Sequence, residues 1–468
     1  MRLLILLAIM LATPAVAQDA ALQAQVEAIF TDAPPGTRIG MVVTDEAGRE
    51  IVAIRPDERF VPASNTKMFT TAAAVATLSV DGPDRVGGAS IRIEGRDVVL
   101  TGHGDARLSS MSGCVVDCLA TLADAVAATT RRVRDVIGDD SWFPDQRWSP
   151  GMSWNNIPTR SGTGISALSL DDNELVLTVT KAGVSALPYY RIDDRITRVA
   201  GSKSDIGYDR MPGQDVLTLT GRYTGDEPAV VRVGIDDPAH YAAWRLRDLL
   251  RARGVTVTGD IRTRHRALTG ADDPAWRGNV PVAHPPEATP LAKLTPPPLI
   301  DDLTITNKVS QNLHAELLLR RVGQFVGSGS IADGHAVVID MLTRAGVERW
   351  RYDCADGSGM SNYNRISPRG VVRFLKWATA QPWGATWRGT LPIGGVDGTL
   401  RRRFAGTPLD GRIFAKTGSL DKAAALSGYM TAASGRTLIV ASFANDMPHD
   451  APVTRFIDRA LQAVAAAE

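Results

Sequence analysis

The sequence predicts a mixed α/β chain of the α+β kind, in which one helix-and-strand unit is interrupted by inserted, mainly-β material. Three observations carry this. Helix-like segments stand at residues 62–79, 302–325 and 452–467. Strand-like runs, Ile413 to Thr417, Ala424 to Thr431 and Thr437 to Ala444, come just before the last of them. Between about Val86 and Val282 the texture changes to short β-like runs bounded by turn residues.

Taken in order, the first seventeen residues read as a secretory signal. Met1-Arg2 supplies a positive start, Leu3 to Ala12 is apolar throughout, and Ala15-Val16-Ala17 places small residues where a signal peptidase cuts. The run is too short to span ~30 Å of hydrocarbon, and no other stretch approaches ~20 apolar residues, so no transmembrane segment is expected. No twin arginine precedes the run and no cysteine stands at the cut. The expectation is a periplasmic or otherwise exported protein, soluble after cleavage.

Residues 62–79 read as a helix because Pro62 precedes an Ala-rich run, Met68 to Leu78, that contains neither Gly nor Pro. The middle region holds Ser90 to Ile93, Asp97 to Leu100, Leu175 to Thr180, Asp215 to Thr220 and Val230 to Ile235 as strand-like runs. A helix-like stretch, Tyr241 to Arg253, ends at Gly254. Prolines at 281, 285, 286, 290 and 296–298 mark an extended way out. Residues 302–325 then read as one helix with Leu313, Leu317, Leu318 and Val322 on a face. The last helix presents Val453, Phe456, Ile457, Ala460, Leu461 and Val464. Its other side is not basic, so it packs on a sheet rather than on lipid.

Charge excludes one class of partner. The 468 residues carry 52 Lys+Arg against 51 Asp+Glu, a net +1, where a phosphate-backbone binder shows a basic excess. Nucleic acid is therefore not an expected ligand, and Arg131-Arg132-Val133-Arg134 and Arg401-Arg402-Arg403 are solvated faces. The three cysteines suit an oxidising compartment: Cys114 and Cys118 are spaced for a small disulfide loop, and Cys354 is left as an unpaired, buried thiol. No second Cys or His pair at ligand spacing supports a metal site.

The chemistry lies in three short motifs. Ser64-Asn65-Thr66-Lys67 opens a helix, where positions i and i+3 share a face, so the Lys67 amine lies beside the Ser64 hydroxyl. A serine is a poor nucleophile until a base takes its proton, and a lysine serves once burial or a second cation lowers its pKa. Ser310-Gln311-Asn312 stands on the helix that continues to Glu316, and Lys416-Thr417-Gly418 ends a strand. The Lys416 ammonium suits a carboxylate, and Gly418 lets a substrate backbone approach the strand.

Chance alone gives ~0.4 Ser-x-x-Lys, ~0.5 Ser-x-Asn and ~0.06 Lys-Thr-Gly matches in such a chain, so only the set is informative. Ser419-Leu420-Asp421-Lys422 and Ser153-Trp154-Asn155 also fit the first two patterns, but neither sits on a helix. No Gly-x-Ser-x-Gly and no His-Glu-x-x-His occurs, and the seven histidines, His314 included, read as structural. Asp356-Gly357-Ser358-Gly359 reads as a tight turn near the site.

These motifs, with Asp356 to Ser361, Leu391-Pro392 to Leu400 and Leu426-Ser427-Gly428-Tyr429, resemble the penicillin-binding proteins and serine β-lactamases. The whole mature chain is similar to the D-alanyl-D-alanine carboxypeptidase/endopeptidase family of penicillin-binding protein 4 type, the low-molecular-mass class C proteins. The 242 residues between Lys67 and Ser310 match that family's inserted domains and exceed what a compact β-lactamase places there. Gln311 departs from the Asp often found at that position.

The resemblance implies a β-lactamase/transpeptidase-like domain, an antiparallel sheet flanked by helices, built from residues 18–85 and 285–468. It implies an inserted domain of 86–168 and 236–284, and a second, nested one of 169–235. Ser64 is then the nucleophile, Lys67 its base and Ser310 a proton relay. Asn312, Lys416, Thr417 and Gly418 bind substrate, and the backbone N–H groups of Ser64 and Ser419 form the oxyanion hole. The expected substrates are peptidoglycan stem peptides, with β-lactams as inhibitors and no metal or organic cofactor. A serine β-lactamase-like hydrolase and a non-catalytic penicillin-sensing or wall-binding module are the alternatives.

Overall fold

A computed structural model describes residues 14–468 except Ser202, Asn279, Pro285, Asp450 and Pro452. The apolar run Leu3 to Ala12 lies outside the described residues. Among those described, no helix is long and apolar enough to cross a membrane.

The helices that matter to the site are α1 (Pro14–Thr31), α2 (Lys67–Thr77), α3 (Leu299–Lys308), α4 (Asn312–Val326), α5 (Ile331–Arg344), α6 (Pro368–Thr379) and α7 (Thr454–Ala467). The main sheet comprises β1 (Arg38–Asp45), β2 (Glu50–Ile54), β3 (Ile413–Leu420), β4 (Ala423–Thr431) and β5 (Thr437–Asn445), in the order β3-β4-β5-β1-β2. Every pairing is antiparallel.

Both faces of this sheet are buried, and period-two alternation divides the side chains between them. Val42, Ile439, Ala441 and Phe443 join the core under α2, α3, α4, α5 and α6. Met41, Val43, Leu438, Val440 and Ala444 join a second core with Leu22 and Val26 of α1 and Ile457, Leu461 and Val464 of α7. The apolar face of α7 thus meets the sheet, as its sequence pattern predicts.

The inserted material has its own core, which includes Ile91, Leu100, Val136, Leu177, Leu219, Val233 and Leu246. One sheet runs in the order Ile261–Arg266, Val136–Pro144, Asp97–Thr101, Ser90–Glu94, Ala292–Lys293. The strands between Glu174 and Gly234 form two further small sheets. The proline-rich exit is not wholly unpaired, because Ala292–Lys293 adds an edge strand to Ser90–Glu94.

Three expectations need correction. Residues 302–325 are two helices rather than one: α3 ends at Lys308, α4 begins at Asn312, and Ser310 between them adopts φ +66°. The apolar periodicity continues across the gap, which is why the sequence reads as a single helix. Second, α2 is preceded by a 3-10 turn, Ala63–Thr66, so Ser64 precedes the regular helix. Third, Cys354 is only half-buried as a residue, although burial of its thiol pushes the pKa up to about 12. Cys114 and Cys118 form a disulfide.

Candidate active site

Ala63, the residue before Ser64, holds φ +47°, a conformation that L residues with a Cβ rarely adopt. The turn is held there by two glycines. A Cβ on Gly359, itself at φ +88°, would lie 1.9 Å from Ala63 O, and one on Gly418 would lie 2.5 Å from Pro62 O. The structure therefore gives Gly418 a reason different from the expected one: the backbone that approaches this strand is the protein's own Ser64 turn. Asn65, fully buried, adds a hydrogen bond from Nδ2 to Lys416 O at 2.9 Å.

Lys67 Nζ lies 3.0 Å from Ser64 Oγ, 2.6 Å from Asn312 Oδ1 and 2.6 Å from Ser358 O. The amide and main-chain oxygens can only accept. Asn312 is oriented by its own Nδ2, which donates to Ser161 O at 2.9 Å. A neutral amine that donates to those two acceptors keeps its lone pair for the third neighbour, the Ser64 hydroxyl. Burial lowers the Lys67 pKa to about 8, against the opposing pull of the Asp356 and Glu316 carboxylates. A neutral amine is thus available near neutral pH.

Lys416 Nζ bonds Ser310 Oγ at 2.9 Å and Thr417 O at 2.9 Å. Burial, and then the nearby Lys67 amine, hold its pKa well below the ordinary lysine range. The left-handed Ser310 is what aims this hydroxyl at the strand from the gap between α3 and α4.

The β3 strand is an edge strand of the main sheet, and among the described residues only its start is covered, by residues 392–394. Its Ala415 N–H donates outward to Pro392 O, and its Ile413 O accepts from Gly394 N–H. Alternation along a strand then directs the main-chain groups of Thr417 and Ser419 to the same open edge. Thr417 Oγ1 sits 2.7 Å from Thr399 Oγ1, in the segment that follows Leu391.

The eight positions singled out in the sequence come together here: Ser64, Lys67, Ser310, Asn312, Lys416, Thr417 and Gly418, and Ser419 at the open edge. Ser153 does not join them; its Oγ bonds Asn155 at 2.5 Å in a neighbouring loop. His314 faces elsewhere, toward Asp172 and Asp302, which keep its pKa raised to about 9. Two participants carry no role in the motif reading. Ser161, from inserted sequence, fixes the Asn312 amide by its carbonyl, and Ser358 supplies the carbonyl on Lys67. The Ser358 contribution was foreshadowed only as a turn near the site.

Residues 22–468 match the D-Ala-D-Ala carboxypeptidase 3 (S13) family. The chain belongs to that family. It is a serine peptidase, and its relatives agree. A D-alanyl-D-alanine carboxypeptidase of Actinomadura sp. (strain R39) is 33% identical over 445 residues, which cover 88% of this chain and 79% of that one. A D-alanyl-D-alanine carboxypeptidase of Haemophilus influenzae is 23% identical over 444 residues, 88% of this S13 chain and 86% of its own length. The crystal structure of penicillin binding protein 4 from H. influenzae superposes with a TM-score of 0.77 at 20% identity, over 94% of this chain and 98% of that one. This structural likeness shows a shared fold.

Proposed function

We propose that this S13 peptidase is a D-Ala-D-Ala carboxypeptidase, with endopeptidase action on cross-links as the same chemistry on a longer leaving group. The substrates are peptidoglycan stem peptides. The observation that carries the reading is the Lys67 amine, 3.0 Å from Ser64 Oγ with its other two neighbours obligate acceptors. It is supported by the carboxypeptidase relatives and by the H. influenzae protein's structure in complex with a β-lactam, which superposes at a TM-score of 0.69.

In the proposed reaction Ser64 Oγ attacks the carbonyl carbon of the penultimate D-alanine as its proton passes to Lys67 Nζ. The tetrahedral oxyanion is received by the N–H groups of Ser64 and Ser419, a kind of donor worth about 3–4 kcal/mol each. The C–N bond then breaks as the proton taken by Lys67 is relayed through Ser310 to the departing D-alanine nitrogen, and the acyl group stays on Ser64. Asn312 holds a substrate amide while Lys416 and Thr417 meet the terminal carboxylate. Water releases the acyl group and restores the hydroxyl. A β-lactam enters by the same attack and leaves slowly.

Residues 18–85 and 285–468 form the proposed catalytic domain, with 86–168 plus 236–284 and the nested 169–235 as inserted domains. The core of the inserted sequence is separate from the two around the main sheet, which supports the outer division, while the two inserted segments share that one core. Export to the periplasm follows from the proposed signal peptide, residues 1–17.

Intact mass after brief incubation with benzylpenicillin tests the reading. A persistent adduct of one drug molecule, absent from Ser64→Ala, is expected. Drug consumed without an adduct would make the protein a β-lactamase. Drug untouched would sink the mechanism.

A further inference from the structure

The turn Gly357-Ser358-Gly359, whose Ser358 carbonyl faces Lys67, is gripped from two sides. From within the turn, Asp356 accepts hydrogen bonds from Gly359 N at 2.8 Å, Ser361 N at 2.6 Å and Asn364 Nδ2 at 2.6 Å. From outside, one oxygen of Glu316 accepts from Gly357 N at 3.0 Å and Ser358 N at 2.8 Å. Glu316 is a buried residue on α4, four positions after Asn312, so one helix supplies both the amide oxygen on Lys67 and the clamp on the turn that carries the opposing carbonyl. Burying a carboxylate costs several kcal/mol unless it is compensated, and two main-chain N–H groups are the compensation found here.

Resting on the reading in which Lys67 activates Ser64, we infer that Glu316 is a positioning residue for that lysine. By holding the Gly357 and Ser358 N–H groups it fixes the turn whose Ser358 O meets Nζ, so that the amine's lone pair stays on Ser64, and it supplies a negative charge whose loss makes the amine easier to deprotonate.

The groups around Glu316 give this its direction. Asp356 faces it from the turn, Lys67 from α2, Arg320 from its own helix and His335, bonded to Asp356 O at 3.3 Å, from α5. Arg147 lines the same small cavity from the inserted sequence, but it pairs with Asp145 and Asp237. Arg320 likewise spends its Nη atoms on Gln146 and Gly329 O. Among the described residues, therefore, no cation is hydrogen-bonded to Glu316. Burial and Asp356 push its pKa up to about 7, and Lys67 titrates at about 8, so the two exchange protons over neighbouring pH ranges. An ionised Glu316 favours the ammonium form of Lys67, which is inactive as a base.

The test is the pH profile of the acylation rate with a chromogenic β-lactam, for wild type, Glu316→Gln, Glu316→Asp and Ser64→Ala. Glu316→Gln keeps an oxygen for both N–H groups and removes the charge, so its acid limb should move down by roughly one pH unit. Glu316→Asp keeps the charge but falls one methylene short, so its rate should drop by up to ~100-fold with the limb nearly in place. A role in folding alone would scale all rates together and leave both limbs where wild type has them. That outcome, with wild type still acylated at Ser64, overturns the inference and spares the mechanism. Acylation that persists in Ser64→Ala overturns both.

Discussion

Lys67 and Lys416 are lysines of one site, each with no exposed surface, and they differ in the charge beside them. Lys67 has carboxylates within electrostatic reach, Asp356 and Glu316, and these partly offset the cost of burial; its pKa falls only to about 8. Among the described residues, no such carboxylate acts on Lys416. The charge that does act on it is Lys67, which adds to the effect of burial, and its pKa lies well below the ordinary range. Equal burial with unequal neighbours separates a base from a binder: Lys67 can cycle its proton near neutral pH, whereas Lys416 gains most from an arriving anion. A substrate carboxylate would supply to Lys416 the charge that the protein withholds.

The largest effect should come from removing the first of the pair. Lys67→Met leaves Ser64 without a base and should slow acylation by about 10²- to 10⁴-fold, as measured by stopped-flow with a reporter β-lactam. In wild type the same rate should rise with pH through about 8, because only the neutral amine accepts the proton. The depressed pKa also means that the unfolded chain binds the extra proton first, so stability from this group increases with pH between about 8 and 10.5. A flat rate profile across that limb would break the assignment of Lys67 as base.

Lys416→Met should be milder and selective. Loss of a charge-assisted hydrogen bond is worth about 1.5–3 kcal/mol, or roughly 10- to 100-fold in kcat/KM, for a peptide ending in a free carboxylate. The same peptide ending in a carboxamide should discriminate far less between wild type and variant. If both peptides lose equally, Lys416 serves the fold or the Ser310 hydroxyl rather than the substrate carboxylate, and the contrast between the lysines collapses.

The parts of this site differ in how well they show in the sequence. Lys67 is legible because its partner is three residues away on a helical turn, and Lys416 because it ends a strand whose two followers, Ala424 to Thr431 and Thr437 to Ala444, are strongly apolar. The elements β1 and β2 are not assigned by that reading: Ile39 to Val43 is a short, nearly continuous apolar run, and such runs suit a buried strand and a buried helix alike. The break at Ser310 is silent too, since neither Gly nor Pro marks it and the φ of +66° is imposed by tertiary packing. Contacts such as Ser161 O to Asn312 Nδ2 join residues 151 apart, and no local periodicity encodes them.

His314 sharpens the comparison as a third buried base with the opposite environment. Its ring lies 3.1 Å from Asp172 and 3.3 Å from Asp302, and these carboxylates outweigh burial to raise its pKa to about 9. A raised folded pKa gives stability that is complete below the unfolded value near 6.5 and is lost as pH rises through about 9. The effect on activity should be the smallest of the three, and the change should appear in folding rather than in acylation. In urea melts the stability gap between wild type and His314→Gln should shrink by about 3 kcal/mol between pH 6 and pH 9.5. A gap that keeps its size across that window would mean that the ring acts by shape and neutral hydrogen bonds. Charge beside a buried base would then be insufficient to explain why Lys67 and Lys416 part company.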